Sequence, residues 1–118
     1  MIPYGKQDIN QDDLDSVLEV LKSDFLTQGP QVPIFENSVS GFVGAKYGVA
    51  VNSATSALHI ACLSLGFTKG DLLWTSPNTF VASANCAIYC GGKVDLVDID
   101  PDTLNMCPKA LEAKLILA

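Results

Sequence analysis

Three clusters of residues in this sequence carry groups able to do chemistry. The first is Asn52–Ser53–Ala54–Thr55–Ser56–Ala57–Leu58, where an apolar run turns into a helical pattern through small residues. A helix N-terminus offers free N–H groups and positive potential, so an anion is favoured at such a turn. Ser53, Ala54, Thr55 and Ser56 are all small and would let a phosphate approach the backbone closely. The Thr55 and Ser56 hydroxyls add possible donors. The same residues also make an ordinary N-cap, because Ser and Thr are common at that position. The residues alone leave these two readings level.

The second cluster is Pro77–Asn78–Thr79–Phe80, after another short apolar run. Phe80 is expected toward the same sheet edge as Thr55. An aromatic ring beside an anion site suits a flat aromatic phosphate, because ring stacks on ring. Taken alone, a phenylalanine is more often core. The third cluster is Asp24–Phe25–Leu26–Thr27–Gln28–Gly29–Pro30. Its polar groups fit either a substrate contact or a plain turn, and its composition favours the turn.

Other reactive residues read as structural. His59, the single histidine, is expected to pack between helices rather than to catalyse. Asp95, Asp98, Asp100 and Asp102 imitate a calcium loop, but Thr103 stands where that loop needs glycine. They are expected to cap a strand end and the turn after it. Cys62, Cys86, Cys90 and Cys107 match neither a zinc ribbon nor a CxxC pair. We expect buried free thiols, no metal site and a reducing, cytoplasmic setting.

These clusters need a scaffold to place them. Residues 9–23 follow the helical rule through Leu14, Val17, Leu18 and Leu21, with Asn10 as N-cap and Ile9 and Leu14 as a hydrophobic staple. A second helix is expected from near Val32, with Pro33 in its first turn and Gly44 as its stop. Tyr47–Asn52 reads as a buried strand, Ser53–Leu65 as a helix, Leu72–Thr75 as a strand and Thr79–Tyr89 as a helix. Val94–Val97 is a further strand, and Pro108–Leu115 begins another helix. That alternation signals an α/β fold with a parallel sheet and crossover helices. The apolar ending Leu115–Ile116–Leu117–Ala118 reads as an incomplete domain.

Charge excludes some functions. Thirteen acids, seven lysines and no arginine give a net charge of −6, with no basic cluster for a nucleic acid. Any phosphate must be held by backbone N–H groups and hydroxyls, since no guanidinium exists to fork it. Charged residues make up only 17% of the chain, so part of its surface is expected to be covered by further polypeptide or a second subunit. No signal peptide or membrane-spanning run is seen.

The motifs resemble one family in their order. They are Leu26–Thr27–Gln28–Gly29–Pro30, Phe35–Glu36, Tyr47 to Leu58, Gly70–Asp71, Ser76–Pro77–Asn78–Thr79–Phe80 and Val97–Asp98–Ile99–Asp100. Together they resemble the DegT/DnrJ/EryC1/StrS sugar aminotransferases, which are fold type I pyridoxal-phosphate (PLP) enzymes. Pro3–Tyr4, Leu26–Thr27–Gln28 and Ser53–Ala54–Thr55–Ser56 are similar to the branch that aminates a UDP-4-keto sugar in pseudaminic acid biosynthesis.

The resemblance implies the first part of a PLP-binding large domain. Residues 1–31 would form an N-terminal helix and substrate-side loop, and residues 32–118 the first part of the large domain. It implies that Ala54, Thr55 and Ser56 hold the cofactor phosphate and that Phe80 stacks on its ring. It puts Tyr4, Asp24, Phe25, Leu26, Thr27 and Ala54 on the sugar-nucleotide side. It further implies a cytoplasmic homodimer, an amino-acid donor such as glutamate, and no partnership with nucleic acid or membrane. Family members are about three times as long, and their Schiff-base lysine comes later. None of Lys6, Lys22, Lys46, Lys69, Lys93, Lys109 and Lys114 stands in that context, so no catalytic residue is expected in this chain. Alternatives are a non-catalytic binding module, a PLP-dependent sugar dehydratase sharing this half, and, last, a nucleotide-binding domain without a G-x-G-x-x-G turn.

Overall fold

A computed structural model describes residues 4–118. Pro3 of the Pro3–Tyr4 motif lies outside the described residues. The chain divides into two compact units, Met1–Ala50 and Val51–Ala118. Among the described residues, no helix is long and apolar enough to cross a membrane.

The first unit holds α1 (Gln11–Lys22) and α2 (Gln31–Val43). Asn10 caps α1 as its residue type predicts. Its side chain accepts from the Asp12 and Asp13 N–H groups, and Asp13 Oδ2 accepts the Asn10 N–H at 2.9 Å. This reciprocal box satisfies donors that the first turn cannot pair internally. The apolar stripe expected on α1 is present, yet the helix buries none of its residues. α2 ends at Gly44 with φ 69°, the left-handed conformation that glycine adopts without a Cβ penalty.

Tyr47–Asn52 was expected as a buried strand, and the structure corrects this. The segment carries no ladder, and Val49 is 76% exposed. A strand exists only when a neighbour accepts and donates along it. Here the Ala50 N–H donates instead to Glu36 Oε1 at 2.8 Å. A Cβ on Gly48 would meet the Glu36 carbonyl oxygen at 2.8 Å, so glycine is what allows the segment to lie against α2.

The second unit is built on a parallel pair, β1 (Leu72–Thr75) and β2 (Lys93–Leu96), in register Leu72↔Lys93 to Thr75↔Leu96. Parallel strands need a crossover, which is α4 (Ala82–Tyr89), packed on both. α4 also packs on α3 (Ala54–Ser64). The buried residues at the centre are small: Cys62, Ala82, Cys86 and Ala87, joined by Val97. Small side chains let these elements approach closely. All four cysteines are free; Cys62 and Cys86 are buried as expected, whereas Cys90 and Cys107 are only half-buried. Burial pushes the Cys62 thiol up, with Cys86 and Cys90 beside it adding to the effect, so it stays protonated. His59 packs edge-on to Tyr89, with ring centroids 5.4 Å apart.

α5 (Pro108–Leu117) closes the chain, its Lys114 paired to Asp95 on β2. Asp95 also accepts from the Trp74 indole N–H at 3.2 Å and from the Leu96 N–H at 2.8 Å. Lys114, then the Leu96 N–H, then Trp74 hold the Asp95 carboxyl below the usual carboxylate range. Asp98 accepts the Ile99 N–H, and Asp100 accepts those of Asp102 and Thr103. Asp95, Asp98 and Asp100 therefore act as turn and strand-end caps, whereas among the described residues no hydrogen bond is seen to the Asp102 carboxylate, and no group of three or more His, Cys, Asp or Glu side chains could hold a metal ion.

Because folding lowers the Asp95 pKa, its contribution is present above the unfolded value and is lost as pH falls through the folded one. Thermal melts should show wild type more stable than Asp95→Asn near neutrality, with the gap closing below about pH 4. A gap that widens in acid would contradict the assignment. Gly48→Ala forces a Cβ onto backbone and should cost about 1–3 kcal/mol in urea unfolding. An unchanged midpoint would refute the close approach.

Candidate functional site

The Asn52–Ser56 turn forms where Val51–Asn52 leads into α3. Ser53 is the N-cap, with extended backbone (φ −161°, ψ 156°). Its Oγ accepts the Ser56 N–H at 3.1 Å, and its carbonyl accepts the Ala57 N–H at 3.1 Å. The N-cap that the residue types allow is formed, and, as at any helix start, it leaves donors over. Among the described residues, neither the Ala54 nor the Thr55 N–H has a protein partner. The Ser56 N–H is spent on the cap, so of Ala54, Thr55 and Ser56, the three residues expected to hold a phosphate, Ser56 has no free N–H to offer. The Ser56 hydroxyl is also engaged, with Asn52 Oδ1 at 2.7 Å and Ser53 Oγ at 3.0 Å.

Two N–H groups without a partner among the described residues, at the positive end of an eleven-residue helix, are a fit donor set for a phosphate in a chain without arginine. Thr55 is half-buried and records no side-chain bond among the described residues, so its hydroxyl is unspent.

Phe80 lies before α4 rather than within it. α4 was expected from Thr79, but it begins at Ala82 because the preceding residues are taken up in a turn. The Thr79 N–H donates to the Ser76 carbonyl, and the Ser83 N–H to the Phe80 carbonyl. Ser76 Oγ donates to Asn78 Oδ1 at 2.6 Å, and Asn78 Nδ2 donates to the Leu104 carbonyl at 3.2 Å. This turn holds Phe80 out of the core, 75% exposed. The core alternative for Phe80 therefore does not apply. A large aromatic held in solvent at a strand's C-terminal end is available to a flat ligand.

Of the residues expected on the substrate side, Tyr4, Asp24, Phe25, Leu26 and Thr27 lie in the first unit and Ala54 in the second, and all are exposed. The loop from Asp24 is a real turn. Gln28 has φ 54°, and a Cβ on Gly29 would meet the Phe25 Cβ at 2.9 Å. Phe25 also lines a cavity of about 240 Å³ with Glu19, Val20, Ser23, Pro30 and Gln31. Two contributors escaped sequence reasoning. Asn52 was seen only as part of a motif, and its role as acceptor for two hydroxyls depends on geometry. Glu36 was noted for its place in the motif order, with no sign that it takes the Ala50 N–H.

The DegT/DnrJ/EryC1/StrS aminotransferase family pattern matches residues 7–116. The chain is 43% identical over 116 residues to the UDP-4-amino-4,6-dideoxy-N-acetyl-beta-L-altrosamine transaminase of Campylobacter jejuni, covering 98% of this chain and 30% of that protein. Among solved structures it is similar to Spr1654 of Streptococcus pneumoniae, a proposed sugar aminotransferase in its PLP form. The TM-score is 0.90 at 30% identity, over 95% of this chain and 29% of that one. It is also similar to Helicobacter pylori PseC, an aminotransferase involved in pseudaminic acid biosynthesis, with a TM-score of 0.87 at 34% identity, over 94% and 30%. The chain thus spans about 30% of the length of the curated relative it matches, and its architecture is that of the fold type I aminotransferases. The chain belongs to the DegT/DnrJ/EryC1/StrS aminotransferase family.

Proposed function

We propose that the protein to which this chain belongs is a PLP-dependent aminotransferase that moves an amino group from an amino acid such as glutamate to a 4-keto sugar nucleotide. The observation that carries the proposal is the pair of unpartnered N–H groups on Ala54 and Thr55 at the head of α3. The printed activities of the Campylobacter and Helicobacter relatives support the sugar substrate and a place in pseudaminic acid or related glycan synthesis. The PLP form of Spr1654 supports the cofactor.

In this reading, Ala54 and Thr55 bind the cofactor phosphate through their N–H groups, and the Thr55 hydroxyl adds a third donor. Ser56 lies behind them with its own groups committed to Ser53 and Asn52. The exposed Phe80 ring would stack on the cofactor's aromatic ring and shield it from water. When bound, the cofactor supplies the electron sink that amino transfer needs. Tyr4, Asp24, Phe25, Leu26 and Thr27, with Ala54, orient the sugar nucleotide. Residues 1–31 then serve as helix and substrate-side loop, and residues 32–118 as the first part of the cofactor-binding domain. None of the seven lysines is the covalent anchor of the cofactor, so these 118 residues by themselves perform no transfer. We propose a cytoplasmic homodimer for the whole protein.

The full-length protein, given a 4-keto sugar nucleotide and glutamate, should release the amino sugar nucleotide and 2-oxoglutarate. Consumption of the keto sugar with no nitrogen in the product would refute the transfer. In cofactor titrations followed by absorbance, Thr55→Val and Phe80→Ala should each raise the Kd about tenfold, as loss of one hydrogen bond or one stacking contact implies. Wild-type affinity in both variants would remove these residues from the site.

A further inference from the structure

A serine at the head of a helix has a choice of donors, because its oxygen can accept from the N–H of either the second or the third helical residue. At the head of α3 these are Thr55 and Ser56. Accepting from Thr55 would use up a group that the proposed phosphate site needs. The structure has Ser53 Oγ on the Ser56 N–H at 3.1 Å. The surrounding contacts explain the choice. Ser56 Oγ donates to Asn52 Oδ1 at 2.7 Å, and Ser53 Oγ makes a longer contact to the same oxygen at 3.5 Å. The two hydroxyls are themselves 3.0 Å apart. One amide oxygen thus gathers both hydroxyls on the side of Ser56.

We infer that Asn52 is a positioning residue for phosphate recognition: by anchoring the Ser53 and Ser56 hydroxyls it directs the cap to Ser56 and leaves the Ala54 and Thr55 N–H groups free. Asn52 itself does not touch the phosphate. The inference rests on the reading of this turn as the phosphate site. Its consequence is selective. Loss of Asn52 lets the Ser53 hydroxyl turn toward Thr55, which affects a ligand only through its phosphate. The rest of the ligand's binding is untouched.

The test compares pyridoxal phosphate with pyridoxal, which lacks the phosphate, on full-length protein stripped of cofactor. Kd values are read from the absorbance change on titration. Wild type should prefer the phosphorylated aldehyde. Asn52→Ala and Ser56→Ala should each weaken pyridoxal phosphate by about tenfold and leave pyridoxal within about twofold. Ser56→Thr keeps the hydroxyl and should restore the preference. If Asn52→Ala keeps the full preference, or weakens both aldehydes equally, the positioning role is wrong and the phosphate site stands. A wild type indifferent to the phosphate overturns the site reading and the role of Asn52 with it.

Discussion

The hydrogen bond from the Ser56 N–H to Ser53 Oγ is the contact on which the site depends. A helix start exposes donors that its own turns cannot satisfy. One cap stabilises α3 by about 1 kcal/mol and occupies one donor. The donors left over, on Ala54 and Thr55, are the means we propose for recognising an anion without arginine. They work against an unfavourable background, since the net charge of −6 repels phosphate at long range. A local dipole and directed N–H groups act over one turn, where the field of the whole chain is screened.

In the second unit one packing solution supports both the head of α3 and the turn that carries Phe80. Small residues at Cys62, Ala82, Cys86 and Ala87 let α3 and α4 lie close. α4 in turn covers the parallel pair β1 and β2. The turn between β1 and α4 is tied by Asn78 to the Leu104 carbonyl, and Leu104 adopts φ 58° there. Phe80 is thereby presented from an anchored turn rather than a loose loop. An aromatic platform that is already ordered loses little freedom when a ring stacks on it. At the other side of the pair, Asp95 gathers Trp74 and Lys114, which ties α5 to both strands.

Much of this was legible in the residues. Asn10 announced the capped start of α1, Gly44 its neighbour's end, and Leu72–Thr75 formed the strand that their types predict. These are local effects, set by propensity and capping within one turn. Tyr47–Asn52 was misread because consecutive apolar residues describe a buried environment, whereas a strand needs a partner's backbone. Here the Glu36 carboxylate takes the Ala50 N–H instead. The start of α4 slipped from Thr79 to Ala82 because Asn78 spends its side chain on Ser76 and on Leu104, twenty-six residues away. No pattern within a helical window reports such a contact. At the candidate site the residue types were visible, but the division of labour among Asn52, Ser53, Thr55 and Ser56 was not. All four are small and polar, and only geometry separates the caps from the free donors.

The most direct test is an amide NMR titration of the isotope-labelled protein with pyridoxal phosphate. The account predicts that the Ala54 and Thr55 amide resonances move furthest and in step, as free donors meeting a phosphate. Ser56, already bonded to Ser53, should shift less. If Ala54 and Thr55 stay in place while amides elsewhere respond, for instance those at the heads of α2 or α5, the phosphate is held somewhere else and the account is contradicted.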